Sequence, residues 1–150
     1  MNFPTTVDPT WQTIHKGQVH AVGVVESKLC PLCGIEHESI DHHFFQCSFS
    51  SSIWSKLLLW QGDRRPTMKW QEEIQWAVLN ANGKSVKATT YRASIVACAY
   101  LIWQDRNTRV TQQKRRSHEQ ITRLILQEVA CTSSLSLKLA SIMREQNLYP

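Results

Sequence analysis

Residues 30–47 read CPLCGIEHESIDHHFFQC and hold three of the chain's five cysteines and three of its six histidines. In the order Cys30-x2-Cys33-x8-His42-x4-Cys47 they offer three soft thiolates and one imidazole nitrogen, the donor set of a closed tetrahedral Zn²⁺ shell. A Cys-x-x-Cys turn lets two sulfurs converge on one ion. Four protein ligands leave no open coordination position, so such a metal organises the fold and does not activate water. A disulfide is disfavoured, because three clustered cysteines leave one unpaired and no secretory signal precedes them. His42 is the preferred imidazole, since the His-x4-Cys spacing it makes with Cys47 recurs in zinc knuckles that bind single strands. His43 stays open as the alternative ligand, or as a ring that packs on the site and hydrogen-bonds a ligand. His37, in the polar stretch GIEHESID, reads as a solvated loop residue.

The rest of the chain sets the bounds. At 150 residues it has the size of one ordinary domain, and a hydrophobic content of 42% argues against wholesale disorder. The apolar runs IVACAYLIW and LLLW are far shorter than the roughly eighteen residues of a membrane span, so no membrane partner is expected. MNFPTTVDPTW lacks the basic and apolar regions of a signal peptide, which points to a reducing, intracellular setting that suits thiolate ligands. The net charge of +5 is uneven: residues 1–60 carry three Lys/Arg against five Asp/Glu, and residues 61–150 carry fourteen against seven. Three bound thiolates and one Zn²⁺ push the first part further negative. A phosphate-binding surface is therefore expected in the second part.

Hydrophobic spacing predicts helices and no convincing strand apart from the short run AVGVV. The first 29 residues give at most a weak helix around Trp11, Ile14, Val19 and Val22, broken by Gly23. After Cys47, Ser50 to Ser52 offer capping hydroxyls for a helix that buries Ile53, Trp54, Leu57 and Leu58 and stops at Gly62. DRRPTMKW reads as a linker, with Thr67 as cap of a helix from Met68 to Asn80 that presents Trp70, Ile74, Ala77 and Val78 as one stripe. The strongest helix spans about Lys87 to Val110, through Tyr91, Ile95, Cys98, Ala99, Ile102, Trp103, Arg106 and Val110. QQKRRS interrupts it, and Ser117-x-x-Gln120 forms a capping box for a helix through Ile121, Leu124, Ile125 and Val129. A last helix uses Leu135, Leu139, Ile142 and Met143. Cys98 and Cys131 have no neighbouring ligands and read as small core residues. The expected fold is mainly α: a small zinc-stabilised CCHC loop module followed by about four to five helices. Its divisions are an undefined segment 1–29, the zinc module with its following helix 30–60, a linker and amphipathic helix 61–86, and a basic helical region 87–150.

The stretch KLCPLCGIEHESIDHHFFQCSFSSSIWSKLL resembles the zinc-binding domain that follows the reverse transcriptase in plant LINE-type (non-LTR) retrotransposons. The resemblance is carried by Cys30, Pro31, Cys33, Gly34, Glu38, Ser39, His42, Phe44, Phe45, Cys47 and Trp54. VACAYLIWQDRNTRV is similar to a segment downstream in the same proteins, through Tyr100, Ile102, Trp103, Arg106, Asn107 and Arg109. The family's longer upstream helical region, rich in Trp, Lys and Leu, is represented only by Trp11 and the stretch before Lys28. The polymerase and endonuclease regions are absent, and Asp8, Asp41, Asp63 and Asp105 are too scattered to form a polymerase's metal-binding pair. The chain therefore resembles a remnant or stand-alone copy of that element's C-terminal part.

The resemblance implies a non-catalytic Zn²⁺ module that helps a polymerase hold RNA or single-stranded DNA, in the nucleus rather than the cytoplasm. The residues lend their own support: Arg106, Arg109, Lys114, Arg115, Arg116 and Arg123 set six cations against Glu119 within eighteen positions. Phe44, Phe45, Phe49 or Trp54, if exposed, would stack on unpaired bases; if buried, they close the small metal site. The competing reading is a zinc-stabilised protein-interaction module, with the reverse transcriptase polymerase domain as one partner. Six tryptophans are many for this length, and Trp70 and Trp76 fall on different faces of one helix. A non-functional piece of a decayed element is the third reading. Catalysis finds no Gly-rich phosphate loop and no Cys/His pair outside the cluster, and His37-Glu38 has the wrong spacing for a zinc deaminase.

Overall fold

The structure is a computed structural model that describes residues 28–134. The expectations for the segment before Lys28, AVGVV included, and for a final helix from Leu135 to Met143 fall outside the described residues. What is described is mainly α: a metal-loop ribbon, one π-helical turn at His42–Gln46, and helices α1 (Ser48–Trp60), α2 (Trp70–Asn80), α3 (Val86–Gln112) and α4 (His118–Ser134).

Helix α1 buries Ile53, Trp54, Leu57 and Leu58, as the i, i+1, i+4, i+5 spacing predicts. Its start differs from the expectation. Cys47 is the N-cap, so the helix begins before the serine triplet, and Ser50 lies buried with its hydroxyl donating to the His43 carbonyl. Gly62 ends the helix in the left-handed region at φ 78°, where a β-carbon is strained, and its N–H returns to the Leu59 carbonyl at 3.0 Å.

Helix α2 is shorter than expected and is rotated. Thr67 does not cap it; its hydroxyl pairs with Ser51 at 3.1 Å, and the Lys69 N–H is taken by Glu72. The inward face carries Trp70, Glu73, Ile74 and Ala77, while Val78 is 48% exposed. Glu73 is fully buried and accepts from both terminal nitrogens of Arg65 (2.9 and 2.7 Å), from the Tyr91 hydroxyl (2.9 Å) and from the Met68 N–H (3.0 Å). Arg65 also pairs with Asp63 and lies 4.3 Å from the centre of the Trp76 ring. The segment expected to be a plain linker is thus tied down by one guanidinium. Burial and the Glu73 carboxylate push the Tyr91 phenol far above its ordinary value, so it serves only as a hydrogen-bond partner.

Helix α3 starts at a Ser85 cap, whose hydroxyl accepts from the Ala88 N–H, and ends where Gln113 turns left-handed at φ 55°. Its inward face is Tyr91, Ser94, Ile95, Cys98, Ile102 and Asp105, so two polar residues sit on a stripe predicted from apolar ones. Val110, expected on that face, is 53% exposed. The capping box of α4 is present: Ser117 N–H donates to Gln120 Oε1 at 2.9 Å and Gln120 N–H to Ser117 Oγ at 3.2 Å. The short turn folds α4 back along α3, and Ala130 near its far end packs by Trp60 and Val86. Ile121, Ile125 and Val129 enter the same core as Ile95, Cys98 and Ile102, each large aliphatic side chain contributing about 1.5–3 kcal/mol of burial. Cys98 is a core residue as expected; Cys131 is exposed, because the α4 face it shares points to solvent.

Candidate metal centre

Residues 28–38 form a narrow ribbon around a single antiparallel bridge between Leu29 and His37, with Cys30 N–H donating to the Glu36 carbonyl and Glu38 N–H to that of Lys28. Within it Cys30 to Gly34 is a tight knuckle, closed by Gly34 N–H on the Cys30 carbonyl at 2.7 Å. Gly34 takes φ 70°, the reason the motif reads Cys-Pro-Leu-Cys-Gly. The other two donors come from the π-turn. Its backbone bond runs from the Cys47 N–H to the His42 carbonyl, five residues back, so residues five apart stack on one side. A His-x4-Cys spacing in this turn aims both side chains at one point, whereas an α-turn would splay them. Ser39 Oγ accepts from the His42 N–H at 3.1 Å and steadies the start of the turn.

One ligand atom from each of Cys30, Cys33, His42 and Cys47 lies within 4.8 Å of every other. Cys30 and Cys47 Sγ are 3.9 Å apart, and Cys33 Sγ is 3.3 Å from His42 Nε2. A tetrahedron with Zn–S near 2.3 Å and Zn–N near 2.1 Å has edges of about 3.6–3.8 Å, so these two separations are close to coordination spacing, and the two sulfurs are far outside disulfide length. The residues present fit one tetrahedral metal ion. Cys30, Cys47 and His42 are buried and Cys33 is partly so, leaving little access for a substrate.

The electrostatics favour thiolate at Cys47. Its thiol is held below the ordinary value, first by the hydrogen bond from Cys30 and then by the Ser50 and Phe49 N–H groups at the start of α1, against an opposing effect of burial. Cys30 is pushed up, because it supplies that hydrogen bond to Cys47 and is buried, while the neighbouring His43 acts in the opposite direction. Between the two histidines the structure favours His42: its ring joins the sulfurs, and its Nδ1 is 3.2 Å from Glu36 Oε2. His43 is buried beside Cys30, 3.8 Å from Glu38 Oε1. His37 is exposed, as expected.

The segment around Arg106 and Arg109 meets this loop directly. Arg106 grips Glu38 with Nε and Nη2 at 2.7 and 2.9 Å, a two-pronged pair between residues 68 positions apart. Arg109 pairs with buried Asp105 at 2.7 Å and donates to the carbonyls of Leu32 (2.9 Å) and Pro31 (3.3 Å), inside the knuckle. Two of the six cations expected at a phosphate surface are therefore bound to the fold. Arg116 is half-buried, with Nη1 3.3 Å from Gln104 Oε1. Lys114, Arg115 and Arg123 are exposed.

The rings do not form a stacking platform. Phe44, Phe45 and Trp54 are buried, Phe45 lies against both Trp54 and Trp70, and Phe49 lies half-buried beneath the Arg109 guanidinium at 4.3 Å. None of the five described tryptophans is exposed; Trp70 and Trp76 cover Phe44 and Arg65 from the two sides of α2. The rings close the metal site and the helical core because the loop has few other apolar groups. Sequence reasoning missed Glu73 as a partner of Arg65, although an acid between Trp70 and Ala77 on an inward face signals a buried cation.

Set beside known families, residues 9–54 match the family model described as zinc-binding in reverse transcriptase. The match takes in all four cluster residues and extends upstream to residue 9; it ends at Trp54, before the segment of Arg106 and Arg109. Among curated proteins and among solved structures nothing matches.

Proposed function

We propose that this chain is a non-catalytic zinc module of a retroelement reverse transcriptase that contacts single-stranded nucleic acid, foremost RNA, beside a polymerase domain in the nucleus. Cys30, Cys33, His42 and Cys47 hold the ion, which supplies folding free energy to the loop and no reactive position. The contact surface is the basic turn between α3 and α4 with the outer face of α4. The observation that carries this reading is the exposure there of Lys114, Arg115 and Arg123, for which no ion-pair partner stands among the described residues. Exposed cations on a helical hairpin suit a flexible polyanion, and with Phe44, Phe45 and Trp54 buried, recognition runs through phosphates and is indifferent to base identity. Binding of the metal-loaded chain to a single-stranded oligouridylate, titrated with salt, tests it. A log–log slope of about −2 is expected for three single-strand phosphate contacts. No binding at about 50 mM salt overturns it.

One observation favours a second reading, a protein-interaction module. The outer face of α3 carries Val96, Tyr100 and Val110, each more than half exposed, with Arg92 at its N-terminal end bound to the Ala81 and Gly83 carbonyls. Loss of RNA binding together with association through this face would favour that reading.

A further inference from the structure

Arg109 hydrogen-bonds to three separate parts of the chain, and its guanidinium also lies 4.3 Å over the Phe49 ring of α1. On its own helix Nε donates to Asp105 Oδ2. Nη1 donates to the carbonyls of Leu32 and Pro31, the residues between Cys30 and Cys33. Nη2 donates at 3.0 Å to the carbonyl of Arg116, at the end of the basic turn. The peptide unit that carries this carbonyl also carries the Ser117 N–H, which donates to Gln120 Oε1 at 2.9 Å. That one unit is thus held on one side by Arg109 and on the other by the capping box of α4.

A guanidinium is a planar fork with fixed donor directions, so its contacts cannot be adjusted one at a time. The knuckle is closed by the Gly34 N–H on the Cys30 carbonyl, and a metal on which Cys30 and Cys33 converge would fix its carbonyls further. We propose that Arg109 is a positioning residue that couples the metal knuckle to the basic turn, so that metal occupancy raises affinity for a polyanion by holding Lys114 and Arg115 in place. The polyanion half rests on the function proposed above; the coupling half rests on geometry alone. By linkage, a polyanion bound at the turn tightens the metal in the same ratio. Arg109 thereby moves from direct contact with nucleic acid to orienting the residues that make it.

The test uses the full chain loaded with Zn²⁺ and the variant Arg109→Lys. Lysine keeps a positive charge beside Asp105, but a single ammonium cannot reach both the knuckle and the Arg116 carbonyl. The backbone order parameter of Ser117, measured by ¹⁵N relaxation, is expected to fall below about 0.6 in the variant, while those of Ile95 and Ile121 stay at rigid-helix values near 0.85. Zn²⁺ affinity is expected to fall on the order of tenfold. A variant with wild-type order at Ser117 and wild-type metal affinity overturns the coupling. If Arg109→Lys does not fold, the double variant Asp105→Asn, Arg109→Met removes both buried charges and is read in the same way. Oligouridylate binding then separates the two halves. A wild-type chain that binds none overturns the function proposed above and leaves the Ser117 and metal results to decide the coupling. Equal oligouridylate affinity in wild type and a variant with a loosened Ser117 overturns the polyanion half.

Discussion

Residues 28–47 and the helices from Val86 to Ser134 lie against each other and are built on different forces. The helical hairpin is held by buried aliphatic side chains: Ile95, Cys98 and Ile102 on one helix and Ile121, Ile125 and Val129 on the other share one core. The metal loop has a few ribbon hydrogen bonds and donors that a single ion would unite, and its ties to α3 include the polar grips of Arg106 on Glu38 and Arg109 on the knuckle. The segment lends Leu32, Phe44 and Phe45 to the helical core but is too short to offset its lost chain entropy by that burial alone, and coordination would supply the rest. Between these regions stands a third device, the buried Arg65–Glu73–Tyr91 network, which fixes α2 to α3 through charge.

The largest effect should come from the metal. Cys47→Ser should abolish stoichiometric Zn²⁺ binding, forfeiting a coordination free energy of roughly 10–16 kcal/mol at neutral pH. Amide exchange should then become fast through residues 30–47 while the amides of Ile95, Ile102 and Ile125 stay protected; loss of protection in both regions would mean that they unfold as one unit. Glu73→Ala should cost about 3–5 kcal/mol in a denaturant melt, because it removes the two-pronged partner of a largely buried guanidinium and leaves it Asp63 alone among acids, and should leave metal stoichiometry at one. A variant that sheds the metal as well would erase the boundary between the regions.

Acid should divide the molecule along the same line. Cys47 is held below its ordinary value by the Cys30 hydrogen bond and the N-terminus of α1, and protons compete with the metal for all four donors as pH falls. Metal release, followed with a colorimetric chelator, should rise as pH drops, with the circular dichroism of α3 and α4 little changed over the same range. The smallest structural effect belongs to Lys114→Ala with Arg115→Ala: stability within about 0.5 kcal/mol of wild type, and a salt slope for oligouridylate reduced by about 1–2.

How far the sequence could be read differs between these regions. The metal cluster was legible because coordination chemistry imposes local spacing, and a Cys-x2-Cys knuckle and a His-x4-Cys turn are both short-range objects. The α1 face and most of the α3 and α4 faces were legible from the helical period, though Val110 and Leu124, expected inward, are exposed; the capping box was legible from Ser117 and Gln120 alone. The rotation of α2 was not, because a buried Glu73 looks like a surface acid until Arg65 and Tyr91 are beside it. The roles of Arg106 and Arg109 were hidden for the same reason: in sequence they are two cations in a basic tail, and their partners lie 68 and 77 positions away.

Residue type and spacing by themselves determined that three thiols and an imidazole could meet around one ion and that helices would follow, since both depend on neighbours within a few positions. The tertiary structure alone decided which histidine faces the sulfurs, which arginines are bound to the fold, and which cations remain exposed to solvent. The physical reason is that a charge has no preferred partner until the chain closes, and the partner it then finds is fixed by distance in space, which local sequence does not record.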